Sequence, residues 1–209
     1  IENIVTSSDQ LYKAFSSPKA SAEPATKEVL RYREALWKAF TSLKRREDLS
    51  VDLVVDVFKT ISEKKEGIRD RQVWIKSASK IVYTPPESGK VLKQTMNNWF
   101  EVALARNGID PLIKMAMLHY QFEAIHPFTD GNGRTGRILN VLYLCLERLL
   151  DLPVLYLSKY VLQYKNDYYR LLREVTEHGN WNNWILYILE GVKETSILTL
   201  SRVNAIHEQ

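Results

Sequence analysis

The sequence predicts an all-α domain carrying one small β-hairpin. Three observations support this. Apolar residues recur at helical spacing along most of the 209 residues, cap signals precede several of those stripes, and a single stretch reads instead as two short β-favouring runs around a turn. The composition is that of an ordinary globular chain, 45% hydrophobic and 26% charged, which excludes disorder as its main character. No apolar run approaches the roughly 20 residues that a membrane-spanning helix needs.

The elements follow in chain order. Leu36, Trp37, Phe40 and Leu43 give a helix over roughly 27 to 46. Ser50 is a good N-cap for the next, whose stripe is Val51, Val54, Val55, Phe58 and Ile61. From Gln72 to Tyr83 a Val73-Trp74-Ile75 run, a polar Lys76 to Lys80 centre and an Ile81-Val82-Tyr83 run predict a hairpin, closed by Pro85 and Pro86. Asp110 before Pro111 starts another helix, with Leu112, Met115, Ala116, His119 and Phe122 as its stripe. Residues 138 to 150 are apolar on nearly every side, which places that helix mid-core. A tyrosine-rich helix over roughly 158 to 177 and a last one with Trp181, Trp184, Ile185, Ile188 and Val192 complete the chain. Neither a repeat nor a convincing linker interrupts it, so one domain is expected.

Charge and cysteine usage narrow the function classes. The net charge of +4 is mild and scattered, with Lys44-Arg45-Arg46 the longest basic run. It permits a polyanionic partner without demanding one. A lone Cys145 cannot form an internal disulfide, which favours a reducing, cytoplasmic setting. The chain opens at Ile1 with no Met before Met96 and no signal-peptide layout, so it reads as a trimmed fragment.

Three of the eight glycines fall between His126 and Arg137. The Gly131, Gly133, Gly136 spacing matches the dinucleotide fingerprint, but a helical stripe precedes it where that motif needs a strand. A calcium loop fails as well, because Arg134 takes a ligand position and Thr135 the place of the required glycine. What remains is a helix, a demanding loop and a second helix. Pro127 expels His126 from the helical region. Gly131 and Gly133 allow positive φ and close backbone approach. The next helix offers free N–H groups and a dipole that favour an anion. Arg134 and Arg137, three apart at that helix start, can face one polyphosphate. Asp130 supplies a hard oxygen for a phosphate-bridging Mg²⁺. His126 at the mouth is suited to take a proton near neutral pH. This grouping describes transfer chemistry on a nucleotide.

The stretch resembles the signature of Fic-domain proteins, His-x-Phe-x-(Asp or Glu)-Gly-Asn-Gly-Arg-x-x-Arg. Each fixed position is present, as His126, Phe128, Asp130, Gly131, Asn132, Gly133, Arg134 and Arg137. The resemblance implies the Fic fold, with a hairpin flap at about 72–84 before the signature loop at 126–137. It implies an AMP transferase that uses ATP and Mg²⁺ and acts on a Tyr, Thr or Ser hydroxyl of a target protein, which can be the chain itself. In that reading His126 is the base and Asp130 holds the metal. Gly131, Asn132 and Gly133 line the anion hole, followed by Thr135 and Gly136 in the nucleotide-binding turn. Arg134 and Arg137 hold the outer phosphates, and Phe128 anchors the loop. Val73, Trp74, Ile75 and Lys76 border the nucleotide and align the target segment as an added strand. Many relatives have a glycine near Lys76. Tyr168 looks like the family's adenine-side tyrosine, although core packing is nearly as good an account of it. Glu2-Asn3 fits the end of the family's self-inhibiting helix, which would set Glu2 against Arg137. The chain then divides into an N-terminal segment, 1–26, and a catalytic domain, 27–209.

Other classes stay open at this point. The loop reads phosphates and not bases, so UMP or GMP transfer is a close variant, and AMP removal with Glu2 positioning water is another. Relatives that transfer the γ-phosphate carry Lys where Gly133 stands, which argues against that chemistry. A toxin-type or regulatory module that binds without turnover is a different class. DNA binding would need a further domain beyond Gln209, because no basic stripe or helix-turn-helix spacing occurs here. A homo-oligomer is compatible with all of these. His119, on an apolar stripe, reads as a core residue and not a second base. Cys145, in the buried helix, reads as no nucleophile, and Trp181 and Trp184 read as core anchors.

Overall fold

A computed structural model gives the fold over residues 24–46 and 48–208. Those residues form eight helices and one two-stranded antiparallel sheet: α1 (Pro24–Arg46), α2 (Val51–Ser62), β1 (Ile75–Ser77), β2 (Lys80–Tyr83), α3 (Lys90–Leu104), α4 (Pro111–Ile125), α5 (Asn132–Leu146), α6 (Leu157–Gln163), α7 (Lys165–His178) and α8 (Trp181–His207). The all-α class with a small hairpin is what the sequence predicts. α1 runs through the expected 26/27 boundary without a break.

Two helices form the centre. α5 packs against α1, α2, α4 and α6, and α4 packs against α3, α5 and α8. α5 is surrounded because Ile138, Leu139, Val141, Leu142 and Leu144 bury in several directions at once. α4 is tied from both flanks by indoles. Trp99 Nε1 of α3 donates to the Leu118 carbonyl at 2.9 Å, and Trp184 Nε1 of α8 donates to the Ala116 carbonyl at 2.8 Å. Each uses the second lone pair of a helical carbonyl, so a buried N–H is satisfied without opening the ladder. The caps form as the sequence signals. Ser50 Oγ accepts from Leu53 N–H at 3.4 Å, and Asp110 Oδ1 accepts from Leu112 N–H at 2.8 Å with Pro111 opening α4.

Three expectations need correction. The central helix begins at Asn132, where the glycine loop runs into it with Arg134 and Arg137 in its first turns, but ends at Leu146 rather than 150. Gly131, at φ 71°, caps it, so the polar signature residues precede the apolar stretch on one continuous helix. It closes early because Arg148 takes φ 59° and the Leu149 N–H returns to the Leu144 carbonyl at 2.9 Å. The tyrosine-rich helix is two helices, α6 and α7, broken at Tyr164 (φ −111°, ψ 41°), whose carbonyl accepts from Tyr187 OH at 3.3 Å. Finally, α3 is absent from the sequence reading. Its buried Leu92, Met96, Trp99, Phe100 and Ala103 keep helical spacing, but it opens at Gly89, a weaker start signal than Ser or Asp.

The hairpin spans fewer residues than its sequence stretch. Ile75 pairs with Tyr83, Lys76 with Ile81 and Ser77 with Lys80, with an irregularity between Ile75 and Lys76. Ala78 makes the turn at φ 53°, and most of the hairpin is exposed. No helix among the described residues is long and apolar enough to cross a membrane.

Packing around α8 is tight enough to predict from. A Cβ at Gly191 would stand 2.7 Å from Cδ1 of Tyr160, a ring hemmed in by Tyr164 and Tyr187. Gly191→Ala is therefore expected to lower the free energy of unfolding by about 1–3 kcal/mol, the usual cost of overpacking. Urea denaturation reads it directly, and an unchanged midpoint would mean that the ring yields freely.

Candidate active site

The turn between α4 and α5 is built from inside. α4 ends at Ile125, and His126 caps it in the left-handed region (φ 51°, ψ 58°) with its N–H on the Phe122 carbonyl at 3.0 Å. A residue before proline is barred from the right-handed helix, and this one takes the left-handed alternative instead of extending. Phe128 is fully buried and stacks on Phe58 at 4.0 Å, with its ring plane 3° from parallel. The Asn132 side chain closes on the same residue: its Nδ2 donates to the Phe128 carbonyl and its Oδ1 accepts the Phe128 N–H, both at 2.9 Å. The Asn132 amide group thus staples the loop, and what it leaves for an anion is its backbone N–H. By helix geometry the amides of Asn132, Gly133 and Arg134 have no acceptor within α5.

His126 is half-buried at this turn. Its Nδ1 lies 3.3 Å from the Glu123 carbonyl. A carbonyl only accepts, so this contact selects the tautomer with hydrogen on Nδ1 and leaves Nε2 as the basic atom. Burial pushes the His126 pKa below its ordinary value. The Arg69 charge acts in the same direction, while the Glu123 carbonyl and Asp130 oppose it. The imidazole is therefore neutral at pH 7.

Both signature arginines fold back over loop glycines. Arg134 Nη2 lies 3.6 Å from where a Gly131 Cβ would be, and Arg137 Nη1 lies 3.1 Å from where a Gly133 Cβ would be. Side chains at these glycines would crowd the guanidiniums, which is one reason glycine stands there. α1 reaches both. Glu28 pairs with Arg134, and Tyr32, one helical turn later, shares a hydrogen bond of 3.3 Å with Ser158 Oγ, which receives the Arg137 Nε–H at 2.9 Å. Arg137 is buried, and Arg134 is nearly so.

Asp130 differs from its neighbours. Its side chain is 65% exposed, its Oδ1 accepts the Gly131 N–H at 2.7 Å, and its Oδ2 lies 4.0 Å from Arg134 Nη2. Among the described residues no cluster of three or more His, Cys, Asp or Glu side chains could hold a metal unaided. A single hard, exposed carboxylate suits a magnesium ion completed by phosphate oxygens and water.

The remaining predicted site residues divide. Thr135 and Gly136 are buried on the core side of α5. A Cβ at Gly136 would meet Glu123 Oε1 at 2.9 Å, Phe122 at 3.2 Å and His119 at 3.3 Å. Gly136 thus lets α5 pack closely against α4, and Thr135 beside it is fully buried. Tyr168 is 3% exposed, with its OH 3.0 Å from His119 Nε2 and its ring among Trp184, Tyr187 and Tyr169. That environment is core, the second of the two accounts that the sequence allows for this residue. In the hairpin, Val73 and Ile75 are half-buried and Lys76 is exposed, as is Trp74 at 51%. Glu2 lies outside the described residues. Burial pushes the Cys145 thiol up to about 11, which leaves it protonated and unreactive at neutral pH.

Sequence reasoning missed four residues here: Glu28, Tyr32, Ser158 and Arg69. Glu28 and Tyr32 carry an i, i+4 signal on α1, but nothing in the sequence says which helix they face. Ser158 and Arg69 carry none.

Comparison with known proteins follows this geometry. A family model described as Fic/DOC family matches residues 46–144, and one described as Fic/DOC family N-terminal matches residues 1–41. The protein adenylyltransferase Fic of Nematostella vectensis is 28% identical over 176 residues, covering 80% of this chain and 38% of its own. A probable protein adenylyltransferase of Aquifex aeolicus is 39% identical over 77 residues, covering 37% of this chain and 23% of its own. The chain spans less than two fifths of the length of these curated relatives. Among solved structures, a Fic family protein from Desulfovibrio desulfuricans matches with a TM-score of 0.76 at 21% identity, over 98% of this chain and 62% of that one. Fic-1 of Caenorhabditis elegans matches with a TM-score of 0.75 at 20% identity, over 97% and 60%. At those identities the structural likeness establishes the fold.

His119 gives the pH prediction of this region. Burial and then the Arg137 charge lower its pKa to about 3. Above about pH 6.5 the imidazole is neutral folded and unfolded, and it contributes no pH dependence. Below that, the unfolded chain takes a proton that the core refuses until about pH 3, so stability is lost as pH falls. Between pH 6.5 and 5 this one residue should cost about 2 kcal/mol. Urea titrations at pH 7 and 5 should show a steeper loss for the unaltered chain than for His119→Gln by that amount. Equal losses would mean that His119 protonates within the fold.

Proposed function

The chain belongs to the Fic/DOC family, and from that premise we propose that it is a protein adenylyltransferase, moving AMP from ATP to a Tyr, Thr or Ser hydroxyl of a target protein. The observation that carries this reading is His126, its Nδ1 on the Glu123 carbonyl and Nε2 left as the basic atom, at the end of α4 and one short turn from the α5 start, where two guanidiniums lie over Gly131 and Gly133. Nε2 takes the proton of the target hydroxyl. The hydroxyl oxygen forms a bond to the α-phosphorus, and the bond from that phosphorus to the bridging oxygen breaks, releasing pyrophosphate. Arg134 and Arg137 hold the outer phosphates and stabilise the charge that develops on the leaving group, with backbone amides of the first turn of α5 as further donors. Asp130 would hold Mg²⁺ at the phosphates, where the ion neutralises charge.

The hairpin supplies the target side. Val73 to Lys76 form the leg that borders the nucleotide and offers its backbone to a segment of the target, which can be the chain itself. Glu2 is read as an inhibitory partner of Arg137 that competes with phosphate for the guanidinium. The loop and the arginines are read as phosphate partners and not base partners, so UTP and GTP belong beside ATP in any assay.

ATP labelled at the α- or γ-phosphate, offered with Mg²⁺ and cell lysate to the Glu2→Gly variant, tests the reading. Protein-bound α-label is expected, with a weaker signal when Glu2 is intact. His126→Ala in the same background should reduce it by about a hundredfold or more, the scale of a lost general base. Label from the γ-position alone would replace AMP transfer with phosphoryl transfer.

A further inference from the structure

Arg69 lies between α2 and the hairpin and is 4% exposed. Its side-chain hydrogen bonds end on backbone carbonyls. Nε donates to His126 O at 2.9 Å and Nη1 to Arg71 O at 3.2 Å, while Nη2 donates to Pro86 O at 2.5 Å and Ile125 O at 3.4 Å. Its backbone N–H donates to Pro127 O at 2.9 Å. Three consecutive carbonyls, from Ile125 to Pro127, thus accept from one residue. These are the last carbonyls of α4 and of the turn behind it, where helix geometry leaves acceptors unfilled and the dipole favours a cation. The other two carbonyls lie on the chain entering and leaving the hairpin. Beside them Gln72 Nε2 donates to Val73 O and Pro85 O, both at 3.0 Å, and ties those two legs together.

We propose that Arg69 is a positioning residue for the transfer reaction, holding the His126 turn and the base of the hairpin at one fixed separation. A target segment aligned on the hairpin then brings its hydroxyl to the base at a set distance. His126 occupies a backbone region that a non-glycine side chain disfavours, so its conformation must be imposed from outside, and Arg69 imposes it. A planar fork of five donors can span four carbonyls, which the point charge of a lysine cannot. None of its carbonyl partners belongs to residues 131–137, and the Asn132–Phe128 closure that shapes the phosphate cradle is made without it. The kinetic consequence rests on the AMP-transfer reading, whereas the mechanical one does not.

Arg69→Lys and Arg69→Gln, each in the Glu2→Gly background, test this. Three quantities are measured: thermal unfolding, ATP affinity by calorimetry, and the kcat and KM of α-label transfer. Folded Arg69→Lys should bind ATP within about twofold of the parent while kcat falls about tenfold or more, as small misplacements of reacting groups do. A merely structural role would lower binding and kcat together, in step with the folded fraction, and cooling would restore both. Full kcat in folded Arg69→Lys, or a parallel loss of ATP affinity, overturns the proposal. Should both variants fail to fold, Gln72→Ala decides by freeing the hairpin legs from each other: kcat must fall at unchanged ATP affinity, and full kcat overturns the idea. If the parent transfers no label, the AMP-transfer reading fails by itself, and hydrogen exchange then judges Arg69. Amides of 72–83 and 126–129 must exchange faster together in Arg69→Lys, with α2 unaltered, and protection unchanged in both segments overturns it.

Discussion

Six residues, from His126 to Gly131, carry the chain from the end of α4 to the start of α5, and the Asn132 side chain closing on both backbone groups of Phe128 gives that short passage a single shape. The reason is hydrogen-bond accounting. Phe128 is driven inward by its ring, which stacks on Phe58, and burial strips water from its N–H and carbonyl. A buried backbone pair without partners would cost several kcal/mol, roughly, so a side chain with one donor and one acceptor is required at that point. An aspartate could not donate and a leucine could do neither. Once the loop is closed in this way, His126 stands at one end of it, Asp130 stands exposed, and the first turn of α5 points its amides outward from the other end.

The polar groups behind the loop obey the same accounting at greater depth. Arg137 enters the core with its Nε–H on Ser158, and Ser158 is held in turn by Tyr32. His119 lies flat against Trp184 with its Nε2 on Tyr168, where burial keeps it uncharged. The one core group is charged and hydrogen-bonded, and the other is neutral. This division lets the Arg137 cation sit in the core while the histidine beside it carries no second positive charge. α1 contributes from the amino-terminal side. Glu28 pairs with Arg134, and Tyr32, one turn later on the same helix, holds the Ser158 that receives Arg137, so α1 is part of the support of both arginines.

Much of this was legible in the sequence, and the boundary follows a physical line. Stripes such as Val51 to Ile61 and caps such as Asp110 are local, and they locate helices because a helix is a local object. The signature residues are equally local, and the chain order from His126 to Arg137 is already the order along the turn. What could not be read is interaction across distance. Arg69 meets carbonyls 56 and 57 residues away, and a backbone carbonyl leaves no mark on a sequence. Tyr168 shows the other side of this. The sequence leaves Tyr168 between an adenine contact and core packing, because its partner there is His119, 49 residues earlier. α3 was hidden for a third reason: its apolar residues keep helical spacing, but it opens at Gly89, which makes no side-chain cap and so leaves only a weak start signal in the sequence.

The turn residue Ala78 bears on how selective the hairpin can be. A two-residue connection between antiparallel strands is best made by asparagine and glycine, which enter the left-handed region easily. Here an alanine sits at φ 53°, followed by Ser79. The strands are short, exposed and irregular between Ile75 and Lys76. Such a connection pins strand register weakly, and a two-stranded hairpin has little stability of its own. Tip and base therefore differ in kind. The base is set by Arg69 and Gln72, while the tip can settle against strands of differing side-chain pattern. On the proposed transfer reading, a surface of that sort would recognise main chain more than sequence and favour breadth of substrate over discrimination.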